Sequence, residues 1–271
     1  MSGLSYHLWT LFLFTKSDFK TGVMTITALA AGSAPLASLG RIPHVAFWVW
    51  LHILQHDLAN QTRDPKEDEH NKPYRPIPSK RITLENAYIL RWVLVPLCFA
   101  LSACYSVQVL YQSIGLFVFF FGLDELNINS HWIERGVMNA ILQYFLGVGS
   151  CLIAGSNCYS LDNISYLSIL YSVVVILTTI QAQDFKDTVG DKLIGRKTMP
   201  IVWPTASRTL IFFLLLIWSS VLSIVWRLET VPALAFHLLG LVIGGRFLMM
   251  KKVKADQTSY LLYNVGLLIT F

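Results

Sequence analysis

Two stretches of this chain set carboxylates at helical spacing among basic residues. "NQTRDPKED" covers residues 60–68 and "QDFKDTVGD" covers residues 183–191. Laid over each other at an offset of 123 residues (183 − 60), they align Asn60 with Gln183, Arg63 with Lys186, Asp64 with Asp187 and Asp68 with Asp191. Asn60, Asp64 and Asp68 fall at i, i+4, i+8, and Asp184, Asp187 and Asp191 at i, i+3, i+7, so on helical geometry each set makes a stripe on one face. Carboxylates so placed repel one another unless a cation lies between them, and hard oxygen donors without His or Cys suit Mg2+. Mg2+ keeps much of its water and binds through few carboxylates plus substrate phosphates, so a phosphorylated ligand is the natural third party. Basic residues interleave with both stripes: Arg63, Lys72 and Arg75 in one, Lys186, Lys192, Arg196 and Lys197 in the other. Arg grips phosphate through a fork and Lys as a point charge, which together suit a diphosphate. Pro65 interrupts the first stripe because it cannot donate a backbone hydrogen bond, and Asp64 is open to a competing role as the cap of a new turn.

The elements that must position these residues are membrane spans. The chain has 271 residues, 54% hydrophobic and only 14% charged, with a positive mean hydropathy, outside the range of a soluble domain of this length. Apolar runs of about 20 residues, enough to cross a bilayer, lie near residues 19–38, 42–60, 83–106, 107–124, 136–155, 163–183, 205–226 and 230–250, with a ninth from Thr258. Before the first, "YHLWTLFLFTKSD" suits either a helix lying in the interface or an extension of the first span. Of 37 formally charged residues (21 + 16), nineteen fall in the windows 60–91 and 183–197. With nine spans both windows lie on one side. Loops on that side and the N-terminus hold sixteen Lys and Arg against Arg41 and Arg227 opposite, so the charged loops are expected to face the cytosol. The four cysteines show no Cys-x-x-Cys spacing and point to no metal or redox chemistry.

The offset spans four helices and continues from the carboxylates into "RPIP" (75–78) and "RKTMPI" (196–201). The expected architecture is therefore two related four-helix halves plus one helix in a single domain over residues 1–271, with the working site at the interface of the halves.

Asn60-Gln61-x-x-Asp64-x-x-x-Asp68 followed by "RPIP", and Asp184-x-x-Asp187-x-x-x-Asp191 followed by "GRKTMP", resemble the two aspartate-rich motifs of the UbiA superfamily of intramembrane prenyltransferases. The resemblance covers nearly the whole chain. It implies an all-α integral membrane fold, a nine-transmembrane-helix bundle with a central cavity, in which Mg2+ held by both motifs binds the diphosphate of an isoprenoid. It makes Asn60, Asp64, Asp68, Asp184, Asp187 and Asp191 the metal set, with Asp64, Asp68, Asp187 and Asp191 catalytic. Lys72, Arg75, Arg135, Lys192, Arg196 and Lys197 become the substrate grips. Gln61 stands where the family usually has Asp, and its neutral amide is expected to orient rather than dominate metal binding. Aromatic-acceptor members carry a Tyr and nearby Lys or Arg between helices four and five, whereas "GLDELNINSHWIERGVMN" (122–139) has no Tyr and only Arg135.

That loss has a chemical reading. Metal-assisted departure of diphosphate leaves an allylic cation, which needs water exclusion, aromatic faces and something to react with. Without an acceptor the cation attacks its own chain, which is terpene cyclisation, and the motifs look most like the fungal membrane-bound UbiA-type cyclases. Trp48, Trp218, Tyr260 and Tyr263 are among the candidate aromatic faces, and Asn127, Asn129, His131 and Arg135 are expected to cover the site mouth. The sequence thus predicts a Mg2+-dependent cyclase of a linear isoprenyl diphosphate, farnesyl diphosphate favoured, in the endoplasmic reticulum membrane. The lipid bilayer is a partner and nucleic acid is not. The alternative is transfer of the same chain to an aromatic or lipid acceptor. A transporter would place its acids mid-span, whereas these gather at span ends.

Overall fold

A computed structural model of the protein describes residues 3–63, 65, 68–69, 72–126, 131–193 and 195–269. Asp64, Asn127 and Asn129, singled out from the sequence, lie outside them. The described residues form helices and no strand, apart from isolated bridges, as expected of a chain whose backbone polar groups must be satisfied within lipid. They fall into two compact units: Met1–Asn127 with Leu142–Leu170, and Ile128–Ile141 with Tyr171–Phe271.

The first unit begins with α1 (Gly3–Thr15). A π-helical turn, Phe19–Met24, runs into α2 (Thr25–Ser33), followed by α3 (Arg41–Arg63), α4 (Leu84–Ala103) and α5 (Val107–Leu126). Thr83 starts α4, its hydroxyl accepting from the Asn86 amide at 3.2 Å. The second part of α6 (Trp132–Ala154) and the first half of α7 (Asn163–Thr179) complete the unit. Phe14 of α1 is fully buried with Leu51, Leu54 and Leu58 of α3 and Leu94 and Cys98 of α4. α1 is therefore a separate helix docked on α3 rather than the start of the first span.

Gly149 of α6 faces Trp48 of α3, whose indole donates to Ser102 Oγ at 2.8 Å. A Cβ added at Gly149 would run into the indole ring itself. Gly149→Ala is expected to cost about 1–3 kcal/mol, the usual range for overpacking a filled site. Thermal unfolding in detergent measures this, and an unchanged midpoint would show that Trp48 moves freely.

In the second unit α7 tightens into a 3-10 segment, Ile180–Asp187, and resumes as α8 (Thr188–Leu193). The short α9 (Met199–Val202), α10 (Pro204–Val225), α11 (Thr230–Met249) and α12 (Val253–Ile269) follow. Phe185, Ile211, Leu222, Ile243, Phe247 and Tyr263 form its core.

Among the described residues, five helices are long and apolar enough to cross a membrane: Leu84–Ala103, Trp132–Ala154, Asn163–Leu193, Pro204–Val225 and Thr230–Met249. Val107–Gly122 is a shorter apolar helix. α3 falls outside that set, and its buried residues include His52, Gln55, Asp57 and Gln61 beside apolar ones such as Trp48, Leu51 and Leu54. Two of the nine expected spans have other bounds. The run at 19–38 is broken into the π turn and a nine-residue α2, and the last helix starts at Val253 rather than Thr258.

Candidate active site

The first acidic motif leaves the end of α3. Asn60 is exposed and Gln61 is buried, its amide donating to the Phe14 carbonyl of α1 at 2.9 Å. This bond ties the end of α3 to α1. Asp68 is 4% exposed, and both its oxygens accept from Arg75 Nη1, at 2.7 and 2.9 Å. The chain thus places a predicted metal carboxylate and a predicted phosphate grip on each other. Arg75 also donates to Ser17 at 3.3 Å, and Ser17 donates to Asp18 at 2.9 Å. The backbone of Lys72 donates to the Asp68 carbonyl at 2.9 Å. The loop after the motif is further tied to α1. Arg81 Nε donates to Thr10 at 3.1 Å and its guanidinium lies 4.1 Å from the Tyr6 ring; Lys16 sits 4.7 Å over Tyr74.

Two carboxylates here escape the motif alignment. Asp57, 3% exposed on α3, lies close enough to Asp18 for the two carboxylates to repel each other. Its signal in the sequence is a charge inside an apolar run, which marks a functional residue by default; the repeat, starting at Asn60, hides it. It also qualifies the expectation that acids gather only at span ends. Burial acts to raise the Asp18 carboxyl, yet Lys72, Arg75 and the Ser17 hydroxyl hold it below its ordinary value. A depressed carboxyl stabilises the fold above its unfolded pKa, about 3.9, and loses that contribution as pH falls through its lower folded value. Asp18→Asn should therefore lower the unfolding midpoint at pH 7 and progressively less toward about pH 3. An equal loss at both pH values would remove charge as the cause.

In the second unit, Asp184 is 2% exposed and Asp191 3%, while Asp187 is half-buried. A 3-10 segment eclipses residues i and i+3, so Asp184 and Asp187 stack more closely than the α-helical stripe read from the sequence. Asp184 Oδ1 lies 2.9 Å from Arg135 Nε. Arg135 reaches it from the first turn of α6, next to a bridge between His131 and Lys197. Arg135, expected at the leaving diphosphate, is thus ion-paired with the motif. Lys186 bonds Asp187 at 2.6 Å and lies 5.2 Å over the Tyr260 ring.

Asp191 is held twice by Arg196. Its side-chain Oδ1 lies 3.3 Å from Arg196 Nη1, and its carbonyl accepts from the Arg196 amide at 2.9 Å. Gly195 makes this return possible: at φ +74 it takes the left-handed turn, its own amide donating to the Lys192 carbonyl at 3.2 Å. Lys192 and Lys197 are exposed. Both motifs therefore pair their last Asp with an Arg from the following loop, Asp68 with Arg75 and Asp191 with Arg196, an echo of the sequence repeat.

The donors suit Mg2+ in type, all oxygen. Asp191 Oδ2 is buried with no hydrogen-bond partner among the described residues, as are Asp57 Oδ2 and Gln61 Oε1. No group of three or more His, Cys, Asp or Glu that could hold a metal ion is found among those residues. Of the candidate aromatic faces, Trp48 is fully buried, Trp218 donates to Thr178 at 2.9 Å and Tyr263 bonds Thr179 at 2.6 Å. Tyr260 lies beside the second motif, 3.4 Å from Gln183.

The profile of the UbiA prenyltransferase family matches residues 21–266. The chain belongs to this family. It is similar to the fumagillin beta-trans-bergamotene synthase of Aspergillus fumigatus, 30% identical over 96% of this chain and 90% of that protein. It is also similar to the diterpene cyclase eriG of Hericium erinaceus, 26% identical over 96% and 82%. A UbiA homologue from Archaeoglobus fulgidus, solved with GPP and Mg2+ bound, shares its fold at a TM-score of 0.69 and 13% identity, covering 97% of this chain and 98% of that one. The protein is an integral membrane protein and a UbiA-type enzyme.

Proposed function

We propose that this UbiA-family protein is a Mg2+-dependent terpene cyclase that ionises a linear isoprenyl diphosphate, farnesyl diphosphate, and closes the cation to a sesquiterpene. The observation carrying this reading is the similarity over almost the full length to a protein named as a terpene synthase. It is supported by a segment 122–139 that has no Tyr and only one Arg. Asn60, Asp64, Asp68, Asp184, Asp187 and Asp191 hold the metal. Lys72, Arg75, Arg135, Lys192, Arg196 and Lys197 take the diphosphate oxygens. Mg2+ bound there supplies neutralisation of charge on the departing diphosphate. Asp68–Arg75 and Asp191–Arg196 are each neutral as pairs, so diphosphate binding lets the arginine turn to phosphate and frees the carboxylate. The allylic C–O bond then breaks with its electron pair leaving on the diphosphate. A distal double bond of the same chain attacks the cation, and loss of a proton ends the reaction. We place nine spans in the endoplasmic reticulum membrane with both clusters on the cytosolic side, on the Lys and Arg asymmetry of the loops.

Incubating purified protein with farnesyl diphosphate and Mg2+ alone tests this. A cyclic hydrocarbon and equimolar inorganic diphosphate are expected. Product that forms only when an aromatic or lipid acceptor is added would overturn cyclisation in favour of prenyl transfer, the activity the family's own description names.

A further inference from the structure

We infer that Arg208 and Asp256 form a buried clamp that positions the second acidic motif, a role that rests on reading that motif as a Mg2+–diphosphate site. Arg208 lies in the first turns of α10 and Asp256 in the first turn of α12; they are 9% and 1% exposed. The guanidinium forks onto the carboxylate, Nη1 to Oδ1 at 2.9 Å and Nη2 to Oδ2 at 2.8 Å. Nη1 also donates to the Phe247 carbonyl at 2.6 Å and lies 3.4 Å from that of Met250. The end of α11 and the start of α12 are thereby fastened to α10 by one side chain. Its remaining face is turned to the motif: Cζ sits 4.5 Å over the ring of Phe185, which also meets the Phe247 ring at 5.3 Å.

Phe185 stands in the 3-10 segment between Asp184 and Lys186, 1% exposed. Because residues i and i+3 eclipse in such a segment, turning Phe185 about the segment axis turns Asp184 and Asp187 together. A flat cation over the ring face fixes that angle in a way an aliphatic neighbour does not. A buried ion pair adds little net stability over apolar residues of equal volume; what it adds is direction, since the planar fork has one orientation against its carboxylate. Arg208 is itself engaged on both edges and buried, so it acts through Phe185 and not as a phosphate grip.

The test is calorimetric titration of inorganic diphosphate, with Mg2+ present, into the full-length protein in detergent, with unfolding midpoints recorded alongside. Phe185→Leu leaves the ion pair in place, and the double variant Arg208→Met with Asp256→Met replaces it by apolar volume. Both are expected to stay folded and to weaken diphosphate binding about tenfold or more, the low end for disturbing a group that orients metal ligands. Arg208→Lys, which keeps charge and loses the fork, should fall between them and the unmodified protein. Binding within about twofold of the unmodified protein, in Phe185→Leu or in the folded double variant, would overturn the clamp. Asp191→Asn separates the two failures. If it binds diphosphate normally, the reading of the motif itself is wrong and the clamp goes with it; if it loses binding while Phe185→Leu does not, only the clamp is wrong.

Discussion

Asp191→Asn is expected to lower turnover of isoprenyl diphosphate by more than about a hundredfold while leaving the fold intact. Disturbing a residue that merely orients a metal ligand costs about 10–100-fold, and the ligand itself should exceed the upper end. Asp191 is the carboxylate best placed to show this. It is 3% exposed, one oxygen and its carbonyl are engaged by Arg196, and Oδ2 is buried with no partner among the described residues. Asn keeps the shape and the Arg196 contact while removing the charge, so the unfolding midpoint should move little. A folded variant keeping more than about a tenth of the normal rate at saturating Mg2+ would argue against ligation, being milder than the loss of an orienting group.

Arg135→Gln is expected to produce the largest loss of stability among the site residues, about 3 kcal/mol, the low end for breaking a buried ion pair. The low end applies because the Arg135 side chain keeps 20% of its surface exposed, whereas its partner Asp184 keeps only 3%. The cost is that of a carboxylate left buried without its cation. Adding Asp184→Asn to the variant should restore most of the stability and none of the activity. A double variant whose loss equals the sum of the Arg135→Gln and Asp184→Asn losses, measured by unfolding in detergent, would show that Arg135 and Asp184 are not energetically coupled.

The chemistry of the site was more legible in the sequence than the shape that holds it. Carboxylates at helical spacing with interleaved cations announce themselves because few other arrangements tolerate such charge in so apolar a chain. The contacts that set their orientation do not. Arg208 and Asp256 are 48 positions apart and neither sits in a motif, so only folding brings them behind Phe185. Asp57 and Asp18 are likewise joined through tertiary contact between the entry to the first apolar run and α3. Helix bounds were blurred for a different reason. Hydropathy reads a window of side chains, while the π turn at Phe19–Met24 and the 3-10 segment at Ile180–Asp187 are choices of backbone hydrogen bonding that the same apolar side chains permit. α3 was legible as the run at 42–60, although His52, Gln55, Asp57 and Gln61 among its buried residues lower its hydropathy.

The division of the chain into units bears on how the protein can be made. Residues 128–141 belong with the later unit and residues 142–170 with the earlier one, so α6 and α7 are each divided between the two. Neither unit is a continuous stretch of polypeptide. During synthesis the first unit stays incomplete until residue 170 has emerged, and the second already has its opening segment waiting when Tyr171 appears. Of two gene fragments cut between α5 and α6, the first would lack residues 142–170 of its unit and the second would carry the later unit whole, whereas a nick in the connection at 155–162 leaves both units divided between the pieces. Co-expressed halves split at the earlier point should recover activity only if the first takes residues 142–170 from the second.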